Sequence, residues 1–438
     1  THEFLGYLKR DSGRNLVQAE NSRLFIPFKI LGDARKGQSG DKVVAQFVRW
    51  DPPARIPTCK ILRVLGPGDD PITDHKGILA KYGLNSNFPA KVMKEAEACP
   101  GKVEAKETNG RKDYRKVFTL TIDPLDARDF DDALSLLKTK EGDWEVGVHI
   151  ADVSHYTPQG SSLDREASKR GNSTYLVGEV VPMLPHRLSS GICSLVENED
   201  RLVKSVLFRF KEDGTPIGAE LAECVIRSDK RLTYEQAILF LRGKSLEQIK
   251  REKPPPSRYS GNPGKSLSEL PDETLKEINL AIQRLWSIAS KLRLARMKAG
   301  SLDLESPDVK ILVNAKGEPD RILQMENDES HQLIEEFMLL ANQTVAKKLR
   351  QRKIPGIFRV HPEPDPENLD ELRNFLAIFG ISCGELTSRK EVNKMLRAIN
   401  KHPLAQVLRI KFLRSMKQAC YRKTPDGHYG LAMRVYLH

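Results

Sequence analysis

Thr119-Leu120-Thr121-Ile122-Asp123-Pro124-Leu125-Asp126-Ala127-Arg128-Asp129-Phe130-Asp131-Asp132-Ala133 packs five aspartates between Asp123 and Asp132. A β-rich apolar run, Val117 to Ile122, leads in, and a second, Trp144 to Ile150, follows a polar turn at Glu141-Gly142-Asp143. The carboxylates therefore read as a loop between strands, beginning at a strand's end. Like charges this dense raise each other's proton affinity, so the cluster stays ionised only where cations neutralise it. Hard divalent cations such as Mg²⁺ or Mn²⁺ take oxygen ligands and suit it. The ordinary reading of an acidic run is a solvated loop. Two features weigh against that here: the interleaved Ile122, Ala127, Phe130 and Ala133 demand partial burial, and the surrounding chain is basic. An EF-hand loop fits poorly, because the positions that need Gly and Glu hold Arg128 and Leu134.

The chain of 438 residues carries 71 Lys and Arg against 59 Asp and Glu, a formal charge of +12. Its length suits two or three domains. A basic excess around an acidic cluster points to a polyanion held through its phosphates, as nucleic acid is. The six cysteines are scattered without a C-x-x-C pair, which argues against a cysteine zinc site and fits reduced thiols in the cytoplasm. No apolar run approaches the ~18 residues of a membrane span, so no membrane is expected, and no signal peptide opens the chain. The absence of a G-x-x-x-x-G-K loop argues against an NTP motor. The chain begins at Thr1 and stops at His438 within an apolar-rich stretch, and the expectation is that both ends are cut.

In chain order, residues 1–68 read as short strands: Phe4 to Lys9, Asn15 to Glu20, Leu24 to Phe28, Lys42 to Trp50 and Thr58 to Leu65. Breaks fall at Asp11-Ser12-Gly13, Gly37 to Gly40 and Asp51-Pro52-Pro53. This suits an OB-type barrel, a common single-strand binder. Tyr7, Phe25 and Phe28 are expected in its core. Residues 69–110 form a connector with a helix at Ala90 to Ala98. From 111 to 438 strands and loops surround the acidic cluster, and helices follow. Helices are expected at Asp164 to Arg170, at Leu232 to Gly243 with Thr233 as N-cap, and at Pro271 to Lys298. Others are expected at Glu329 to Arg352, Pro364 to Phe379 and Lys390 to Lys401. Lys253 to Pro271 reads as a mobile insertion, and Leu302 to Leu323 as a hairpin turning at Asn314-Ala315-Lys316-Gly317. The fold class is α+β: an N-terminal barrel followed by a mixed α/β catalytic domain.

The stretch T-I-D-P-x-D-A-R-D-F-D-D-A resembles the signature of the ribonuclease II / ribonuclease R family, the RNB 3′-5′ exoribonucleases. Val148-His149-Ile150-Ala151-Asp152-Val153-Ser154, Val181-Pro182-Met183-Leu184-Pro185 and Cys193-Ser194-Leu195 extend the likeness. Glu335-Glu336-Phe337-Met338-Leu339-Leu340-Ala341-Asn342 and Arg359-Val360-His361 continue it. The resemblance implies a cold-shock barrel ahead of an RNB domain, and Mg²⁺-dependent hydrolysis of single-stranded RNA to nucleoside 5′-monophosphates, by a monomer. It makes Asp123, Asp129, Asp131 and Asp132 the catalytic aspartates, with Asp123 and Asp132 as direct ligands. Asp129 would support the metals, Asp131 would hold a second ion or order the water, and Asp126 would be structural. Two ions about 4 Å apart need such a set of carboxylates to clamp the attacking and leaving oxygens. It makes Tyr175 an aromatic that stacks near the RNA 3′ end. Arg359 and His361 are candidates to contact phosphate, Arg359 the better of the two. His149 and Asp152 are expected on a strand beside the cluster, and His149 is read as structural. The family continues beyond the Gly430-Leu431-Ala432…Tyr436…His438 pattern with an arginine segment that grips the reacting phosphate, and with an S1 barrel; the chain stops before both. A competing reading is an RNA-binding protein without catalysis on a degraded nuclease scaffold. The four retained aspartates argue against it.

Overall fold

Alternate residues of a strand share one face, and that alternation builds the first element of the fold. β1 (Glu3–Asp11), β2 (Arg14–Ala19), β3 (Phe28–Ile30), β4 (Asp41–Arg49) and β5 (Thr58–Pro67) close into a barrel in the order β1-β2-β3-β5-β4. Leu8, Val17, Phe28, Val43, Ala45 and Cys59 fill it. The computed structural model describes residues 3–11, 14–32, 37–50, 56–252, 264–303, 308–314 and 318–438. The breaks at Ser12-Gly13 and Asp51-Pro52-Pro53, much of the segment Lys253 to Pro271 and the turn Ala315-Lys316-Gly317 lie outside these residues. The expected strand Leu24 to Phe28 is corrected, because pairing starts only at Phe28. Asn21 turns the chain first, its side chain accepting from the Arg23 amide at 3.0 Å, a geometry that takes the backbone out of the ladder. Phe25, expected in the core, is instead 77% exposed. α1 (Pro71–Lys81) was not anticipated, although Asp70 caps it and Pro71 opens it, both start signals. α2 (Ala90–Ala98) falls where expected.

The chain forms two compact units. The first gathers Thr1–Ala96, Gly160–Pro185 and Asp308–Met325. It therefore holds the barrel, α4 (Ser162–Arg170), the hairpin β10 (Thr174–Leu176) and β11 (Glu179–Val181), and the hairpin β15 (Asp308–Val313) and β16 (Pro319–Met325).

The second unit is built on a seven-stranded sheet. Its strands are β6 (Lys112–Asp113), β7 (Thr119–Asp123), β8 (Asp132–Lys138), β9 (Trp144–Ala151), β12 (Asp200–Phe210), β13 (Pro216–Arg227) and β14 (Lys230–Thr233), in the order β14-β7-β8-β9-β12-β13-β6. α3 (Val153–Tyr156) follows β9, and α5 (Tyr234–Leu241) follows β14, capped by a reciprocal Thr233–Gln236 pair. α6 (Leu246–Arg251), α7 (Asp272–Lys298) and α8 (Glu329–Gln351) come next. Leu275, Ile278, Ile282 and Leu285 of α7 and Leu333 and Phe337 of α8 share one core with Leu120, Ile122, Leu134 and Val148 of the sheet. This burial is the main force holding β7 and β8 in place. α9 (Pro366–Ile378), α10 (Arg389–Asn400) and the unanticipated α11 (Ala405–Ser415) pack a separate core of Leu372, Leu376, Met395, Ile399, Leu408 and Phe412. β17 (Phe358–Val360) pairs with β18 (Cys420–Arg422). Among the described residues no helix is long and apolar enough to cross a membrane.

Candidate active site

The acidic stretch spans one strand end, one loop and one strand start. Asp123 ends β7 and Asp132 opens β8, so a strand stands where sequence reading placed only loop and turn. β7 and β8 run antiparallel, which returns Asp132 to the end of the sheet where Asp123 sits. β14 lies on the other side of β7, parallel to it, with Thr233 opposite Asp123.

The loop between them is pinned through its backbone. Phe130, 1% exposed, anchors it in the interior. The Phe130 amide donates to Ser194 Oγ at 3.0 Å, and the Leu195 amide donates to the Phe130 carbonyl at 2.8 Å. The Ala151 amide donates to the Asp131 carbonyl at 3.0 Å. Ser194-Leu195 and Ala151 belong to the motifs that accompanied the acidic stretch in the sequence, and this clamping is what they do. His149 is fully buried between Ser205 and Ser135, with hydroxyl contacts at 2.7 and 2.8 Å. Burial pushes its imidazole down to about 3, so it stays neutral. Asp152 is held by Arg111 at 2.6 Å.

The carboxylates repel within this frame. Burial pushes Asp123 up to about 8, Asp132 and Asp131 adding to the shift while Thr121 and Arg231 oppose it. Asp132 is raised to about 6 by burial and then by Asp131. Asp131 is raised by its surroundings and by Asp129. The four predicted aspartates therefore act on one another electrostatically, whereas Asp126 is exposed and adds only weakly to the surroundings of Arg231. The Oδ2 atom of Asp123 is buried without a hydrogen-bond partner, and so is the Thr121 hydroxyl. An orphaned, proton-hungry carboxylate oxygen suits a hard cation. Among the described residues no three His, Cys, Asp or Glu side chains are gathered to hold a metal ion as they stand.

Two neighbours escaped sequence reading. Arg231, 2% exposed, donates to the carbonyls of Pro124 and Leu125 at 2.8 and 3.2 Å, and its guanidinium lies 5.2 Å from the Phe130 ring centre. It fixes the start of the loop and places a buried positive charge beside Asp123. Tyr234, at the start of α5, has its phenol raised by burial, then by Asp132 and Asp123. The ring of His331 stacks on it at 3.8 Å. Only the run Lys230-Arg231-Leu232-Thr233-Tyr234, a charged pair before a capped helix, marked this segment in the sequence.

Tyr175 and Arg359, the two predicted RNA contacts, are both among the described residues. Tyr175 stands on β10 in the first unit and is 64% exposed. Arg359, on β17 in the second, stacks over Tyr421 at 4.8 Å.

Residues 111–438 match the RNB domain, and residues 17–89 match a cold shock domain. Ribonuclease R of Thermotoga maritima is 40% identical over 402 residues, which are 91% of this chain and 53% of that protein. Two solved structures of Mycoplasma genitalium RNase R are similar over 100% of this chain at 26% identity. One, in complex with ribose methylated single-stranded RNA, has a TM-score of 0.85 with 65% of its chain covered. The other, in complex with double-stranded RNA, has a TM-score of 0.87 with 74% covered. The chain spans about half the length of the curated relatives it matches. The match across the sheet, the acidic loop and the helices that carry them places this chain in the RNB family.

Proposed function

We propose that this chain hydrolyses single-stranded RNA from its 3′ end, releasing nucleoside 5′-monophosphates with the help of Mg²⁺ or Mn²⁺. The observation that carries the reading is the buried, unpartnered Asp123 Oδ2 among mutually repelling carboxylates in a chain of charge +12. Divalent cations at Asp123 and Asp132 would neutralise phosphate charge and acidify a bound water. Asp129 and Asp131 would complete the hydrogen-bonding environment and orient the attacking water. Arg231 and Ser194 hold the loop so that these carboxylates keep their spacing without rearrangement. Tyr175 would stack on bases of any identity, which suits a degrader indifferent to sequence, and Arg359 would contact phosphate. In this reading the barrel (1–68), connector (69–110) and catalytic part (111–438) work on one strand, as a monomer in the cytoplasm.

A 5′-labelled single-stranded RNA incubated with Mg²⁺ should shorten progressively to a short remnant. EDTA or a blocked 3′ end should stop it. Internal fragments at early times would point to an endonuclease instead. RNA retained but uncut would favour the binding protein without catalysis.

A further inference from the structure

Tyr175 sits on a hairpin too small to hold itself. β10 and β11 pair over only Thr174–Val181, Tyr175–Val180 and Leu176–Glu179, and an isolated two-stranded hairpin is marginal in water. Its position is therefore set by what it is fastened to, and the fastenings are polar and specific. At the turn, the Glu179 carboxylate accepts from Ser86 Oγ at 2.6 Å, and its other oxygen lies 2.5 Å from His75 Nε2 on α1. At the base, Arg170 donates to the carbonyls of Asn85, Asn87 and Pro182 at 2.8, 2.8 and 3.1 Å, while its guanidinium covers the Phe88 ring at 3.8 Å. The excursion 160–185 thus belongs with the helices that follow the barrel, all within the first compact unit.

We propose that Glu179 is a positioning residue for Tyr175: through Ser86 and His75 it latches the stacking hairpin to the segment that follows the barrel. The latch rests on the stacking reading of Tyr175 given above. In this role Glu179 acts through Tyr175 and not on RNA directly. It fixes the direction in which the exposed ring is presented, and RNA that stacks on Tyr175 depends on it.

The test needs no catalysis. A short single-stranded RNA with 2-aminopurine near its 3′ end is bound in EDTA, and affinity and fluorescence quenching by stacking are read together. Tyr175→Ala should weaken binding about tenfold, the scale of one stacked base, and relieve the quenching. Glu179→Ala should do the same, with the double variant no worse than either single one, because coupled residues are non-additive. Glu179→Gln, whose amide oxygen still accepts from Ser86, should bind nearly as the parent does. Ser86→Ala and His75→Ala should each give part of the loss, and they serve as the test where Glu179→Ala fails to fold. Glu179→Ala binding like the parent while Tyr175→Ala is weak would overturn the latch and leave the stacking reading standing. Additive losses would overturn it too, by showing that Glu179 acts independently of Tyr175. Tyr175→Ala binding like the parent would refute the stacking reading and the latch with it.

Discussion

At the scale of the residue, two carboxylates do different work. Asp131 keeps part of its surface in solvent, and partial burial and then Asp129 raise its carboxyl above the ordinary value. Replacing it with Asn keeps its size and removes one negative charge. If it orders water or metal in the transition state, Asp131→Asn should lose roughly 10² or more in single-turnover cleavage rate, with RNA affinity within a few-fold. On the proposed reading, binding comes from phosphate contacts and stacking, which Asp131 does not supply. Cleavage near the parental rate would remove it from the mechanism and turn attention to Asp126. Asp123 is buried, with its folded pKa raised to about 8. Below the unfolded value of about 4 both states hold the proton; above it only the folded state does, until the pH passes the folded value, so this group's contribution to stability falls as pH rises between them. In EDTA the melting temperature should therefore decline across that window. Asp123→Asn should flatten the decline, and matching pH profiles for variant and parent would contradict the assignment.

At the scale of the element, the acidic loop is a backbone held from outside itself. Its side chains repel, so its shape comes from Ser194, Leu195, Ala151 and Arg231. Ser194→Ala would leave the Phe130 amide buried without its acceptor, at a cost of about 1–3 kcal/mol. Urea unfolding should register that loss, and Mg²⁺ affinity should drop with it because the carboxylates lose their spacing. An unchanged midpoint would mean that the loop is held elsewhere. Arg231 is the longer lever, since it reaches Pro124 across 107 residues of sequence and its loss would also remove the positive charge beside Asp123.

For the whole molecule, the two compact units carry the two halves of the proposed task. The exposed Tyr175 belongs to the first, and the carboxylates belong to the second. Divalent cation should couple to the folding of the second unit, because it binds a carboxylate set that exists only when β7, β8 and β14 are assembled. Millimolar Mg²⁺ should raise the melting temperature over that in EDTA. The gain should grow as pH rises toward about 8, since metal displaces the Asp123 proton. A melting temperature indifferent to Mg²⁺, with no binding by titration, would count heavily against the metal.

The sequence by itself determined the elements whose signals are local. Alternating apolar residues marked four of the five barrel strands, and the Thr233 N-cap marked α5. The run of five aspartates from Asp123 to Asp132 singled out this stretch, because a dense run of like charge interleaved with apolar residues demands an explanation wherever it occurs, and the family resemblance picked Asp123, Asp129, Asp131 and Asp132 from it. The strand at Asp132, the displaced third barrel strand and the contacts of Arg231, Ser194 and Glu179 were decided only by tertiary structure. Each depends on a partner distant in sequence: β14 lying parallel to β7, Ser194 meeting a buried amide 64 residues away, and Glu179 reaching back 104 residues to His75. Charge density and periodicity are properties of neighbours along the chain. Which buried carbonyl, amide or carboxylate finds which donor is settled only when the sheet is assembled and every buried polar group must be satisfied.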